Sequence, residues 1–182
     1  MAVLLTVIGL NKIGVSIGLA LKDNPQLITR FCHDRDSSKH KKVLDMAAFD
    51  QAPGNITSAV ENADIVILSV PVDEIRDTVE TISPKLKPGV VLMDTSPLKV
   101  GVLEWVNKIL PEDSYFISFH PTINPKYFSE QSMDISCAHE DLFKNSYIII
   151  ANSSKTDGDT IKLASDLSKI IGSSPYFADP FE

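Results

Sequence analysis

Short runs of apolar, mostly β-branched residues recur along the chain, and stretches with helical spacing separate them. Most of these runs are apolar throughout, which is typical of strands that are buried on both faces of a sheet. Strands of this kind alternating with helices favour an α/β fold with a doubly wound, mostly parallel sheet and helices on both faces. The strands are predicted at residues 3–8, 28–33, 64–70, 90–94, 115–119, 147–151 and 175–177.

Apolar residues at steps of three and four predict two amphipathic helices. One covers residues 72–83 and ends at Pro84. The other lies near the C-terminus, begins about Ile161, and has Gly172 as its predicted C-terminal cap. The chain contains no internal repeat and no linker rich in Gly and Ser, so we expect residues 1–182 to form a single domain.

Composition excludes several classes of function. The 182 residues include 17 basic and 24 acidic side chains, a net charge of −7, which argues against nucleic acid or an anionic membrane as a partner. The longest apolar runs fall short of a membrane span, and the first residues lack the positive charge of a secretory signal. Cys32 and Cys137 lie far apart without metal-ligand spacing, which argues against a disulfide framework and a structural zinc site. We expect a cytoplasmic protein with a small-molecule ligand.

The first predicted strand runs directly into a glycine-rich turn with the pattern Gly9-x-Asn11-x-x-Gly14, followed by a predicted helix. In dinucleotide-binding turns the first glycine makes the tight turn, the third lets helix and strand pack closely, and the helix N-terminus faces the pyrophosphate. Asn11 replaces the second glycine. Asn tolerates left-handed backbone angles, so the turn can form, although its side chain would crowd the pyrophosphate. The residues predicted to contact a cofactor here are Gly9, Asn11, Lys12, Ile13 and Gly14. The alternative is a βα turn that binds nothing.

Asp34 ends the second predicted strand, where a carboxylate can accept hydrogen bonds from both ribose hydroxyls of an adenosine. This favours NAD as the cofactor. Arg35 follows at once, and the lysines beyond it at 39, 41 and 42 would attract the 2′-phosphate of NADP instead, unless they form a solvated helix face. We expect NAD, with Arg35, Val70 and Pro71 also lining the cofactor site.

Five stretches together resemble the prephenate and arogenate dehydrogenases, the NAD(P)-dependent enzymes of tyrosine biosynthesis. They are residues 9–20, Asp34-Arg35, residues 63–72, residues 89–99, and His120-Pro121. Their order and spacing match the nucleotide-binding domain of that family over nearly the whole chain, which implies a Rossmann-type fold. The pattern of residues 63–72 also occurs in related reductases that act on imines, hydroxy acids and deazaflavins. It consists of Ala-Asp, an apolar run and Val-Pro.

The resemblance implies hydride transfer from the substrate ring carbon to nicotinamide, with loss of carbon dioxide. His120 matches the histidine that holds the substrate hydroxyl, and Ser96 and Lys99 are further catalytic candidates. Pro97 stands where many members have a serine, and Ser118-Phe119 replace a usual glycine pair. The substrate, prephenate or arogenate, is therefore left open. So are two alternatives: another reductase with a similar first domain, and a nucleotide-binding module without catalysis.

Residues 119–142 show weak periodicity, and a connection of that length in a compact domain indicates an active-site segment. In the family a helical domain follows this one and supplies the dimer interface. The present sequence ends about where that domain would begin, so we expect a truncated chain or a stand-alone domain. A homodimer is expected only together with the helical domain.

Overall fold

The computed structural model describes residues 1–97 and 100–179. The strands are β1 (Val3–Ile8), β2 (Ile28–His33), β3 (Ile65–Leu68), β4 (Val91–Asp94), β5 (Tyr115–Pro121), β6 (Tyr147–Asn152) and β7 (Ser174–Ala178). The helices are α1 (Lys12–Ala20), α2 (Ser38–Asp45), α3 (Ile56–Val60), α4 (Ile75–Ile82), α5 (Val100–Ile109) and α6 (Gly158–Ile170). None of the helices in these described ranges is long and apolar enough to cross a membrane.

The seven strands form one sheet in the order β2-β1-β3-β4-β5-β6-β7. The first five strands run parallel, β6 is antiparallel to β5, and β7 is parallel to β6. The predicted doubly wound, mostly parallel sheet is confirmed. From β1 the chain proceeds to β2 on one side, and then crosses to β3 on the other. This reversal creates a crevice at the carboxyl ends of β1 and β3, where ligands of such folds bind.

Two hydrophobic cores cover the two faces of the sheet. In β3, Ile65 and Ile67 belong to the core that contains α1 and α6, whereas Val66 and Leu68 belong to the core that contains α3, α4 and α5. All four side chains are buried, because successive strand residues point to opposite faces and each face has its own helices. Because both faces of the strand are covered, its sequence is apolar throughout and does not alternate between apolar and polar residues.

Several boundaries differ from the sequence prediction. The predicted strand 64–70 is shorter, because the chain bends after β3 to pass the turn that follows β1. The helix predicted over 72–83 begins as a 3-10 turn at Val72–Glu74 and becomes α-helical only at Ile75. The strand predicted over 115–119 continues to Pro121, because antiparallel pairing with β6 extends its ladder. Gly172 has a φ of +89° directly after α6, as its predicted capping role requires.

Candidate functional site at the carboxyl edge of the sheet

A groove with a cavity of about 770 Å³ opens along the carboxyl edge of the parallel strands. Each of the first five strands contributes residues at the point where it ends. Those lining residues that the sequence singled out are Gly9, Asn11, Ile13, Asp34, Arg35, Val70, Pro71, Ser96 and His120. The topology therefore brings residues from five separate parts of the sequence to one groove. Lys99 lies outside the described residues.

The turn after β1 is tight enough to require glycine at both of its ends. Gly9 has a φ of +100°, and a Cβ built on it would lie 2.2 Å from the carbonyl oxygen of Ser69. A Cβ on Gly14 would lie 2.2 Å from the carbonyl oxygen of Gly9. The first glycine thus lets β1 approach the end of β3, and the last lets α1 pack against its own turn.

Asn11 caps α1 with its side chain. Its Oδ1 accepts hydrogen bonds from the amides of Ile13 and Gly14, both at 3.0 Å, and its Nδ2 donates to the carbonyl of Ser69 at 2.7 Å. The expectation that Asn11 would rely on left-handed angles is wrong, because its φ of −118° and ψ of −175° are extended, as is usual for a capping residue. Asn11, which stands in place of the second glycine, is therefore the N-cap of α1 and accepts hydrogen bonds from its free amides.

The amide of Lys12, the first residue of α1, also has an acceptor within the protein. It donates to the carbonyl oxygen of Met133 at 2.8 Å. With the two amides that Asn11 accepts, the first three amides of α1 are all satisfied internally. The Lys12 side chain is only 2% exposed and points away from the groove, towards the segment after β5.

Glu130, which lies within that segment, is the centre of a polar cluster. Lys12 donates from Nζ to the carbonyl oxygen of Glu130 at 3.1 Å and to its Oε2 at 3.3 Å, and His139 Nε2 lies 2.9 Å from the same carboxylate. The hydrogen bond from His139, with Lys12 beside it, holds the pKa of Glu130 below its ordinary value. The His139 ring stacks on Tyr127 with 4.0 Å between centroids. No role for Glu130 or His139 was predicted, because no local pattern connects them with Lys12.

Asp34 lies at the opposite side of the turn with both carboxylate oxygens engaged. Its Oδ2 accepts from the amide of Leu10 at 2.7 Å and from Lys39 Nζ at 3.3 Å, and its Oδ1 accepts from the amide of Asp36 at 2.8 Å. Arg35 pairs with Glu74 at 3.4 Å across the groove. Among the described residues, the two cations that line the groove, Arg35 and Lys39, therefore each have a carboxylate partner.

His120 is the next-to-last residue of β5, and a backbone carbonyl orients its ring. Its Nδ1 lies 2.8 Å from the carbonyl oxygen of Thr95, an acceptor only, so the proton sits on Nδ1 and the lone pair on Nε2. Within the described residues no hydrogen-bond partner for Nε2 is found. A neutral imidazole in this state can accept a proton from a ligand hydroxyl in the groove.

Ser96 lines the groove, but its hydroxyl is turned towards a buried acid. Both the amide and the hydroxyl of Ser96 donate to the carboxylate of Asp94, which is 4% exposed. Burial raises the pKa of Asp94, although the hydrogen bonds from Ser96 lower it in part. Asp94 thus fixes the turn whose Thr95 carbonyl orients His120.

The groove fits the adenosine end of a dinucleotide, with a tight glycine turn beside a carboxylate at the end of β2. His120 lines the same groove. Between Asp34 and His120 lies the start of α1, whose amides would meet a diphosphate. In this structure those amides already donate to the side chain of Asn11 and to the carbonyl of Met133. The residues therefore fit a dinucleotide, but Asn11 and Met133 would compete with its diphosphate for the amides of α1.

Comparison with known proteins gives a consistent result. The family model described as prephenate dehydrogenase, nucleotide-binding domain, matches residues 17–175. A prephenate dehydrogenase of Bacillus subtilis is 24% identical over 172 residues, which are 94% of this chain and 44% of that protein. A cyclohexadienyl dehydrogenase of Zymomonas mobilis is 26% identical over 168 residues, 92% of this chain and 55% of that protein. The chain thus spans about half the length of these curated relatives.

Solved structures show the same fold. The arogenate dehydrogenase of Synechocystis has a TM-score of 0.85 at 22% identity, covering 97% of this chain and 60% of that one. A prephenate dehydrogenase of Aquifex aeolicus, in complex with hydroxyphenyl propionate and NAD⁺, has a TM-score of 0.85 at 20% identity, covering 100% of this chain and 61% of that one. At these identities the likeness establishes the Rossmann-like fold.

Proposed function

Because the chain belongs to the prephenate dehydrogenase nucleotide-binding domain family, we propose that it binds NAD in the groove at the carboxyl edge of its sheet. As part of an oxidoreductase, it supplies the histidine for the oxidative decarboxylation of prephenate or arogenate. The structure of the relative from Aquifex aeolicus, which holds NAD⁺ and hydroxyphenyl propionate, supports NAD as the cofactor in this proposal.

The observation that carries the proposal is the orientation of His120. Its Nδ1 is held by the Thr95 carbonyl at 2.8 Å, so Nε2 presents a lone pair at the groove. A substrate hydroxyl donates a hydrogen bond to this lone pair, and the bond strengthens as the alcohol becomes a carbonyl and releases its proton. NAD, when bound, accepts the hydride from the same carbon. His120 accordingly takes the proton, and Thr95 holds the imidazole in the productive tautomer.

NAD rather than NADP is favoured by the charges around Asp34. The carboxylate of Asp34 follows β2 at the edge of the groove, where it would accept from ribose hydroxyls beside its present donors and would repel a 2′-phosphate. Arg35 is paired with Glu74 and Lys39 with Asp34, so neither cation is unpaired. Calorimetric titration with NADH and with NADPH at equal salt tests this preference. Tighter binding of NADH is expected, and a preference for NADPH would instead assign the ribose site to Arg35 and Lys39.

The catalytic role is tested by His120→Asn in the whole protein, assayed with both prephenate and arogenate. Turnover is expected to fall by about 10²-fold or more, because the general base is lost. The NADH affinity measured by calorimetry is the control and should not change, since His120 lies away from the adenosine end. Undiminished turnover would remove His120 from the chemistry.

A second candidate is a nucleotide-binding module without catalysis. The internally satisfied amides of α1 favour it, as does Pro97 where many family members carry a serine. The two candidates differ in one measurement. If the wild-type protein binds NADH but oxidises neither substrate, the module is supported and the dehydrogenase is not.

A further inference from the structure

Residues 129–134, which we call the strap, cross the start of α1 without regular structure. Five of its six residues are exposed, and Glu130 is half-buried. Tyr127 and Ile135, just outside its two ends, are each only 8% exposed. The strap is therefore an exposed segment between two fixed points, which is the kind of element that opens at low cost in free energy.

The strap places three oxygen acceptors around Lys12 at the N-terminal end of α1, namely the carbonyls of Met133 and Glu130 and the carboxylate of Glu130. The carbonyl of Met133 accepts from the Lys12 amide at 2.8 Å, and the carboxylate of Glu130 lies 3.3 Å from the Lys12 ammonium. Helix N-termini attract anionic oxygens because their amides and their dipole both favour negative charge. In this arrangement the strap supplies from within the protein the oxygens that a phosphate would supply from a ligand. Met133 also lines the groove itself.

We propose that the strap and the diphosphate of the dinucleotide compete for the start of α1, so that cofactor binding displaces the strap. This inference rests on the proposed function. Displacement breaks the bond from the Lys12 amide to Met133 and separates Glu130 from Lys12. The exchange replaces the carbonyl oxygen of Met133 and the carboxylate of Glu130 by oxygens of the diphosphate at the same helix end. The strap reduces the affinity for the cofactor by the free energy of its own contacts.

Cleavage of the wild-type protein by a Glu-specific protease tests the displacement directly. The bond after Glu130 is cut slowly while that side chain is held by Lys12 and His139, since proteolysis follows local opening. Saturating NADH should accelerate this cleavage several-fold and leave cleavage after the exposed Glu140 unchanged. Slower cleavage after Glu130 with NADH would overturn the proposal, because the strap would then close over the cofactor. An unchanged rate at saturation would overturn it as well.

Glu130→Gln tests the competition, with Glu140→Gln as the matched control. Both variants remove one negative charge, but Glu140 pairs with Lys22 on the surface and not with the start of α1. Calorimetry with ADP and with adenosine separates the diphosphate from the base and ribose. Glu130→Gln should bind ADP several-fold more tightly than the wild type and bind adenosine equally, and Glu140→Gln should match the wild type for both ligands. A thermal unfolding curve verifies that each variant is folded.

The outcomes separate this inference from the proposed function. If the wild type binds NADH and Glu130→Gln binds ADP no more tightly than Glu140→Gln does, the competition is overturned and the proposed function stands. If neither the wild type nor Glu130→Gln binds NADH, both are overturned.

Discussion

At the scale of single residues, Gly9 and Gly101 are glycines with opposite surroundings. Gly9 has a φ of +100°, and an added Cβ would lie 2.2 Å from a backbone oxygen, whereas a Cβ on Gly101 would meet no atom of the described residues within 4 Å. Gly9→Ala should destabilise the protein by about 2 kcal/mol or more, and Gly101→Ala should stabilise it by up to about 1 kcal/mol. Urea unfolding measures both. Equal effects of the two substitutions would contradict the described turn.

Asp94 and Asp64 should give opposite pH dependences. Burial raises the pKa of Asp94 above 3.8, so the folded state binds the proton more tightly and stability falls as the pH rises from about 4 through the folded pKa. Burial also raises the pKa of Asp64, but the hydrogen bonds from Lys87 and from the Leu4 amide outweigh it and leave the pKa below 3.8. That group stabilises the fold above its unfolded pKa and loses this contribution as the pH falls.

Substitution by Asn removes each titration. The stability of Asp94→Asn relative to the wild type should therefore increase between pH 4 and pH 7, by about 1.4 kcal/mol for each unit by which the pKa of Asp94 is raised. For Asp64→Asn the relative stability should decrease from acid pH to pH 7. Urea unfolding at the two ends of the range checks both signs. A pH-independent difference for Asp94→Asn would mean that its carboxyl titrates normally.

At the scale of secondary-structure elements, Arg30 joins β2 to the end of α1 and to the connection after α2. It is 6% exposed, and it donates to the carbonyls of Gly18 and Ala47 at 2.9 and 3.1 Å and to Asp50 at 2.9 Å. The carbonyl of Gly18, in the last turn of α1, thereby accepts a hydrogen bond from a neighbouring strand.

Arg30→Met should destabilise the protein by about 2–4 kcal/mol, because it removes the buried guanidinium that donates to Gly18, Ala47 and Asp50. Arg76→Met is the control, since Arg76 forms an exposed pair with Glu80 within α4. Its loss should cost less than about 0.5 kcal/mol. Thermal and urea unfolding of the two variants provide the comparison, and similar losses would show that burial of Arg30 adds nothing.

At the scale of the whole molecule, a ligand that binds only the folded chain should stabilise it by mass action. NADH at 100 times its dissociation constant contributes about 2.7 kcal/mol, which corresponds to a Tm increase of roughly 5–10 °C for a domain of this size. Differential scanning fluorimetry measures the shift, with NADPH at the same concentration as the control. Equal shifts with the two nucleotides would contradict the proposed role of Asp34.

The fold was predictable from the sequence to the extent that it depends on local pattern. Apolar runs located every strand, and the turn at Gly9 fixed where the groove begins. The antiparallel direction of β6 was not predictable, because a buried strand has the same composition in either direction. The role of Glu130 was equally hidden, since it depends on a contact with Lys12 across 118 residues of sequence. Groove-lining residues at the ends of strands were therefore predicted from the sequence, and Met133 of the strap was not.

The pairing of Lys12 with Glu130 also has a consequence for how the chain is made. At about 5–20 residues per second, a ribosome needs roughly 6–24 s to synthesise the residues between them. During that interval the first three strands can already associate. The ammonium of Lys12 cannot yet be buried, because its partner Glu130 has not been synthesised. The Lys12 end of α1 therefore stays hydrated until residue 130 has emerged, so the turn between β1 and α1 is completed late although its residues are among the first to be translated.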